Sequence, residues 1–173
     1  MKQVMIDYMQ KPKKDNFETP YYAVKPLLKY IKPKWTIWEP TDTTGKSQIT
    51  KALKDHGCKV VSTDKTKFDF LVDIPDFEFD CIITNPPYSL KDDFISKCFT
   101  YSYTGRNTKW ALLLPITALE GIKRGEMFRD ELDFGVMVFD RRIEYMNKSV
   151  YFNTSWFCYG ILPRQLIFSE LQK

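Results

Sequence analysis

The sequence predicts an α/β fold in which a mostly parallel sheet carries helices on both faces. From residue 35 to residue 139, short apolar runs alternate with longer amphipathic stretches. Strands that are separated by crossover helices of this kind pair in parallel. The last two apolar runs are separated by a helix-poor stretch, residues 140–154, so we expect that pair to be antiparallel. With 173 residues, 43% of them hydrophobic, the chain fits one domain with a buried core.

Each element has a local signal in the sequence. Pro20 favours the first turn of a helix, and Gly57 favours the end of the next one. Pro115 stops a strand, and Gly121 and Gly125 weaken the helix that follows it. The predicted helices cover 21–31, 47–55, 91–101 and 117–132, and the predicted strands cover 35–38, 59–63, 68–72, 81–84, 110–114, 135–139 and 155–162.

Composition excludes several classes of protein. No apolar run approaches the ~20 residues that cross a bilayer, and the N-terminus has no signal-peptide pattern. The four cysteines form no Cys-x-x-Cys pair, which indicates reduced thiols in a cytoplasmic protein. No group of acidic residues and histidine has metal-ligand spacing. We therefore expect no membrane partner and no metal.

Positive charge is concentrated near the N-terminus. Residues 1–34 contain eight lysines and three acidic residues, whereas the formal charge of the whole chain is only +4. This pattern predicts a flexible basic arm, residues 1–16, before a single domain, residues 17–173. A basic arm is compatible with phosphate binding, and a solvated lysine-rich segment would look the same.

The most informative motif is Asn85-Pro86-Pro87-Tyr88, directly after a buried strand. Two prolines make the turn rigid and leave its carbonyl oxygens without competing N–H groups. A residue before proline stays extended, so Asn85 is held at the strand tip. Its amide oxygen and a rigid carbonyl can accept both hydrogens of a flat –NH₂ group, and Tyr88 can stack on the ring that carries it. The motif therefore predicts a site for an aromatic amine.

Acidic residues fall at the ends of other predicted strands. Glu39, Asp64 and Asp69 each lie at or near such an end, as does Asn85. Ligands of open α/β sheets bind beyond the carboxyl ends of the strands. We expect these side chains to border one ligand site.

The residues around these positions resemble the motifs of S-adenosylmethionine-dependent amino-methyltransferases, especially the N6-adenine DNA methyltransferases. Asp80 to Ser89 resembles their motif IV, and Ile37 to Pro40 resembles the start of their motif I. The likeness covers nearly the whole chain and is closest to small phage-encoded methyltransferases without a separate target-recognition domain. It implies a Rossmann-like class I methyltransferase fold with seven strands, and a cytoplasmic location in the host. The cofactor-binding residues implied by the resemblance are Phe17, Thr19, Pro20, Glu39, Pro40, Thr41, Gly45, Asp64, Asp69, Phe70 and Asn85.

Motif I departs from the family pattern in one respect. The family supplies two glycines where this chain has Thr43 and Gly45. Thr43 brings a β-branched side chain to a place where the backbone approaches the methionine part of the cofactor. The stretch Gly45-Lys46-Ser47 also resembles part of a phosphate-binding loop, but Pro40 stands where that pattern requires glycine. We therefore exclude a nucleoside triphosphatase.

Transfer of a methyl group from S-adenosylmethionine to the N6 amino group of adenine, with DNA favoured, is the function that the resemblance implies. Its catalytic residues are those of the tetrapeptide, Asn85, Pro86, Pro87 and Tyr88. One alternative is a catalytically degenerate fold that binds nucleic acid or a protein, and another is an RNA or protein-glutamine methyltransferase. Because little chain remains for reading a target sequence, three alternatives stay open: a loose sequence specificity, a homo-oligomer, or a guiding partner protein. The predicted substrate-binding residues are Tyr88, Lys123, Arg124, Arg141 and Arg142.

Overall fold

The computed structural model describes residues 17–145, 150 and 152–173, so the predicted basic arm lies outside the described residues. Its centre is one seven-stranded sheet in the order β2-β1-β3-β4-β6-β5-β7. Among the described strands, β6 alone runs antiparallel to its neighbours. The predicted α/β class is therefore confirmed, as is the antiparallel pairing near the C-terminus. The strands are β1 (Thr36–Glu39), β2 (Lys59–Ser62), β3 (Cys81–Thr84), β4 (Lys109–Pro115), β5 (Phe134–Phe139), β6 (Thr154–Tyr159) and β7 (Leu166–Ser169).

Helices cover both faces of the sheet and create two cores. They are α1 (Tyr21–Leu28), α2 (Gln48–Asp55), α3 (Lys91–Tyr101) and α4 (Ile122–Phe128). Alternate residues of a strand point to opposite faces, so Ile83 packs with α1 and α2 whereas Ile82 packs with α3. Both side chains are fully buried. The described part of the chain contains no helix that is long and apolar enough to cross a membrane.

The predicted strand at 68–72 is wrong. This stretch forms turns, in which the Val72 and Asp73 amides donate to the Asp69 carbonyl. Four phenylalanine rings, with centroids 5.0–5.7 Å from the ring of Trp38, surround that indole. The rings form two pairs, and the turns and bends between them fold the chain back so that both pairs reach the same indole. The four rings belong to Phe68, Phe70, Phe77 and Phe79.

The seventh strand is instead β7, which pairs in parallel with β5 at the edge of the sheet. This strand is only four residues long and its side chains are half exposed, and the sequence patterns predict no strand here. The predicted helix 117–132 is also corrected, because it divides into a 3₁₀ turn and α4. Gly121 separates the two parts with a φ of 129°, a conformation that ends a right-handed helix and favours glycine.

Candidate active site at the carboxyl edge of the sheet

A cavity of about 290 Å³ lies where the carboxyl ends of β1 and β3 meet. The stretch before α1, the loop between β1 and α2, and the residue after β3 form its wall. Polar atoms dominate the lining, and the volume is near the lower end of the range for small-molecule sites. Of the residues predicted to bind a cofactor, those that line it are Phe17, Thr19, Glu39, Thr41 and Asn85.

The side-chain amide of Asn85 is fixed in one orientation. Its Nδ2 donates to the carbonyl oxygen of Phe17 and to Oγ1 of Thr19, both at 2.9 Å. Because a backbone carbonyl can only accept, the –NH₂ group must face the N-terminal stretch. The opposite atom, Oδ1, is buried and has no hydrogen-bond partner among the described residues. Buried oxygen acceptors are normally satisfied, so this one is available to a donor brought by a ligand.

Glu39, at the end of β1, is a buried carboxyl group that also borders the cavity. Its Oε1 accepts bonds from Oγ1 of Thr84 at 2.6 Å and from both the amide and the hydroxyl of Thr41 at 3.0 Å. Its Oε2 has only the Ser47 hydroxyl, at 3.4 Å. Burial raises the pKa of Glu39 to about 7, although the bonds from Thr84 and Thr41 act in the opposite direction. The free side of Oε2 is therefore the natural place for a cationic group.

The loop after β1 is held by hydroxyl groups where the resembling enzymes use glycine. Asp42 accepts a bond from Oγ1 of Thr50 at 2.6 Å and from the Ser47 amide at 3.1 Å. Burial alone would raise the pKa of Asp42, but these hydrogen bonds outweigh it and lower the pKa. Gly45 has a φ of 65°, the left-handed conformation that favours glycine. Thr43 is exposed and lies in the cavity wall.

Tyr88 lies in an aromatic cluster. The ring of Phe17 stacks on it, with centroids 5.2 Å apart and planes 24° apart, and Phe152 meets it edge-on at 5.6 Å. Its hydroxyl is 2.9 Å from the hydroxyl of the buried Tyr145, which in turn donates to Thr154 at 3.1 Å. The face that we predicted would receive a base is therefore covered by Phe17 in this structure.

Asp64 follows β2 at the same edge of the sheet. Its Oδ1 accepts the amide and hydroxyl of Thr66, and these bonds lower the pKa of the carboxyl group. No hydrogen bond to its Oδ2 is made by the described residues. The side chain of Asp69 accepts the amide of Leu71 at 2.9 Å and so shapes the turn. The ring of Phe70 is 2% exposed and stacks on Phe94, so it belongs to the second core and does not line the cavity.

The four prolines among the predicted site residues form two pairs, one beside the cavity and one in the turn after β3. Pro20 and Pro40 are buried backbone anchors beside the cavity, and Pro20 caps the start of α1. Pro87, within the rigid turn, accepts the amide of Leu90 at 2.9 Å. Pro86 is buried next to it.

Of the predicted phosphate contacts, Arg124 is corrected. It donates to the carbonyls of Ala118 and Glu120 and, at 2.6 Å, to Asp92, so its guanidinium joins the loop after β4 to the start of α3. Its side chain is only 15% exposed. The other three predicted cations are exposed. Lys123 lies on α4, and Arg141 and Arg142 follow β5. Arg141 forms an ion pair with Asp140 at 3.0 Å. Their contacts with a substrate remain a prediction.

Several site residues had escaped the sequence analysis. Asp42, Ser47 and Thr84 organise the cavity wall, and Tyr145 and Phe152 complete the aromatic cluster. Ser47 carries the only local signal, because a serine before an amphipathic stretch is a common helix cap, and its hydroxyl does accept the Thr50 amide. The others are brought in by long-range contacts.

The sheet order and the site at its carboxyl edge define the fold of the class I S-adenosylmethionine-dependent methyltransferases. A class I methyltransferase structure from Listeria monocytogenes matches with a TM-score of 0.57 and 12% identity, covering 98% of this chain and 70% of that one. The M protein of the type I restriction enzyme EcoKI matches with the same TM-score and 12% identity, covering 96% and 50%. A protein of Pyrococcus horikoshii described as an RNA methyltransferase matches with a TM-score of 0.50 and 14% identity, covering 93% and 98%.

These likenesses establish the fold. The chain spans about half the length of the EcoKI M protein. No protein-family model and no curated protein matches the sequence.

Proposed function

We propose that this protein transfers a methyl group from S-adenosylmethionine to the exocyclic N6 amino group of adenine in DNA. The observation that carries the proposal is the amide of Asn85. Its Nδ2 is held by Phe17 and Thr19, whereas its buried Oδ1 has no partner among the described residues. An oriented acceptor of this kind, at the edge of a small-molecule cavity, suits the hydrogens of a flat amine.

The cavity and the neighbouring sheet edge offer groups that suit the cofactor. Oε2 of Glu39, in the cavity wall, would accept the ammonium group of its methionine part, and Oδ2 of Asp64, outside that wall at the end of β2, would accept the ribose hydroxyls. Thr41 and Thr19 offer hydroxyls in the same wall. When bound, S-adenosylmethionine supplies a methyl group already activated by its sulfonium centre. The protein's task is then to hold the amine in line with that group.

Two acceptors would orient the amine. Oδ1 of Asn85 takes one hydrogen and the carbonyl of Pro86 takes the other, because the carbonyl of Pro87 is occupied by the Leu90 amide. Accepting both hydrogens turns the nitrogen lone pair toward the methyl donor, so that an N–C bond would form as the C–S bond breaks, and the methylated nitrogen would then release one proton to solvent. It also favours the tetrahedral nitrogen that develops during transfer, which stabilises the transition state more than the ground state.

Tyr88 would stack on the adenine. In duplex DNA, the adenine must first be flipped out of the base stack to reach the cavity. Phe17 now occupies the stacking face of Tyr88, so the base takes its place and the Phe17 ring moves aside. Aromatic stacking with the base compensates for the contact that is lost.

The experiment is a methyl-transfer assay with labelled S-adenosylmethionine and three substrates: DNA, RNA and a glutamine-containing peptide. We expect N6-methyladenine in the DNA digest by mass spectrometry. Asn85→Ala should lower kcat by about 10²- to 10³-fold, the loss typical of one stabilising hydrogen bond at a reacting centre. Asn153→Ala, an exposed asparagine outside the cavity wall, is the matched control. Methylated RNA or peptide without methylated DNA would contradict the choice of substrate.

A degenerate fold that binds without catalysis is the second candidate, and Thr43 in the cavity wall is the observation that favours it. Calorimetry separates the two. Binding of S-adenosylmethionine that is displaced by the demethylated product supports the enzyme. Absence of binding in the native protein, restored by Thr43→Gly, would support the degenerate fold.

A further inference from the structure

A strongly basic surface lies on the first two helices and the turns that follow α1, outside the cavity. Helices α1 and α2 are neighbours on one face of the sheet, where the Tyr21 hydroxyl donates to Asp55 at 3.1 Å. Residues 21–34 and 48–55 contain six lysines and, apart from Asp55, no acidic residue. All six lysines are exposed. We call them the basic face: Lys25, Lys29, Lys32, Lys34, Lys51 and Lys54.

One lysine from each helix of the basic face lies near the same tyrosine ring, and Asp55 is the one carboxylate in these two segments. The Nζ atoms of Lys25 on α1 and Lys51 on α2 lie 5.8 Å and 6.0 Å from the centroid of one ring, that of Tyr21. None of the ion pairs between described residues involves a lysine of this face. Like charges held together without counter-charges repel one another, and a polyanion relieves that repulsion.

The basic face also begins where the cavity ends. Thr19 lines the cavity two residues before α1, and Gln48, the first residue of α2, lines it too. Both helices then run away from the site, and eight residues span about 12 Å. A polymer whose reacting group enters the cavity can therefore continue along the lysines.

We propose that the basic face binds the phosphate backbone of the nucleic acid whose base enters the cavity. This inference rests on the proposed function and identifies which surface holds the polymer. An anionic membrane would be a different ligand, but it also takes up apolar side chains. The large apolar side chains that are exposed among the described residues lie elsewhere, for example Ile122 and Phe168. The face therefore suits a nucleic acid.

The test measures the affinity of the full chain for a fluorescent 20-base-pair DNA by anisotropy, without cofactor, as a function of salt. The test variant is Lys29→Gln with Lys54→Gln, because neither side chain has a contact among the described residues. We assume that each lysine contacts one phosphate. The plot of the logarithm of the association constant against the logarithm of the salt concentration then becomes less steep by about 1.8, and the affinity at 0.1 M salt falls by up to about 60-fold. Replacing the same two lysines by arginine should preserve binding.

The matched control is Arg129→Gln with Arg164→Gln, which removes two exposed charges that are not part of the basic face. We expect the control to bind DNA as the native chain does. Equal losses in the test and control variants would show nonspecific attraction and overturn the inference. So would an unchanged test variant, or binding to vesicles containing phosphatidylserine with none to DNA. DNA binding through this face without any methylation would instead refute only the proposed function, since the binding assay contains no cofactor.

Discussion

The buried carboxyl group of Glu39 makes the stability of the protein depend on pH. Its pKa is about 7 in the folded protein, against an ordinary value of 4.5, because burial disfavours the charged form. Between these values the folded state holds a proton that the unfolded state releases, so the stabilising effect is present at low pH and is lost as pH rises through 7. From pH 5 to pH 8 the loss amounts to about 2–3 kcal/mol.

Glu39→Gln removes this titration while keeping the size of the side chain. We expect the free energy of unfolding of the variant, relative to that of the native protein, to rise by about 2–3 kcal/mol between pH 5 and pH 8. Urea unfolding followed by circular dichroism at both pH values measures the difference, and other titrating groups cancel because both proteins contain them. A difference that stays constant to within about 0.5 kcal/mol would refute the assignment of a raised pKa to this carboxyl group.

Three further predictions concern the site and its support. Because the ammonium group of S-adenosylmethionine needs an ionised Glu39, its affinity should rise about fivefold from pH 6 to pH 7, and Glu39→Gln should abolish that rise in calorimetry. Phe17→Ala should lower the KM for DNA by about two- to tenfold in steady-state assays. The reason is that the stack of Phe17 on Tyr88, worth about 0.5–1.5 kcal/mol, no longer competes with the base. A higher KM would mean that Phe17 helps to hold the base. Arg124→Ala should reduce stability by about 1–3 kcal/mol in urea because two backbone carbonyls and Asp92 lose their donor; an unchanged stability would contradict its bridging role.

Part of the fold followed from local patterns. The strand at 81–84 is confirmed residue for residue, because four apolar or β-branched side chains before two prolines allow few other conformations. The prediction at 68–72 was wrong, because a five-residue stretch with four apolar side chains is equally compatible with a loop whose rings pack around Trp38. The edge strand β7 was missed because it is only four residues long and its sequence does not alternate between apolar and polar residues.

The candidate site, like the fold, could be predicted from the sequence only in part. Its location at the carboxyl edge could be predicted, because acidic residues and Asn85 end successive parallel strands. The coverage of Tyr88 by Phe17 could not be predicted, since it joins residues 71 positions apart. Nor could the internal bonds of Arg124, which in the sequence is one of several cations in a polar stretch.

By itself, the sequence determined the rigid turn at Asn85, because proline geometry acts on its immediate neighbours. It also determined the alternation of strands and helices, and hence the kind of sheet. Only the tertiary structure decided which way the Asn85 amide points, because Phe17 and Thr19 must approach it from far along the chain. Only the tertiary structure raised the pKa of Glu39 and placed the lysines of α1 beside those of α2. Desolvation and crowding of charge depend on what surrounds a residue in space, which sequence neighbours do not specify.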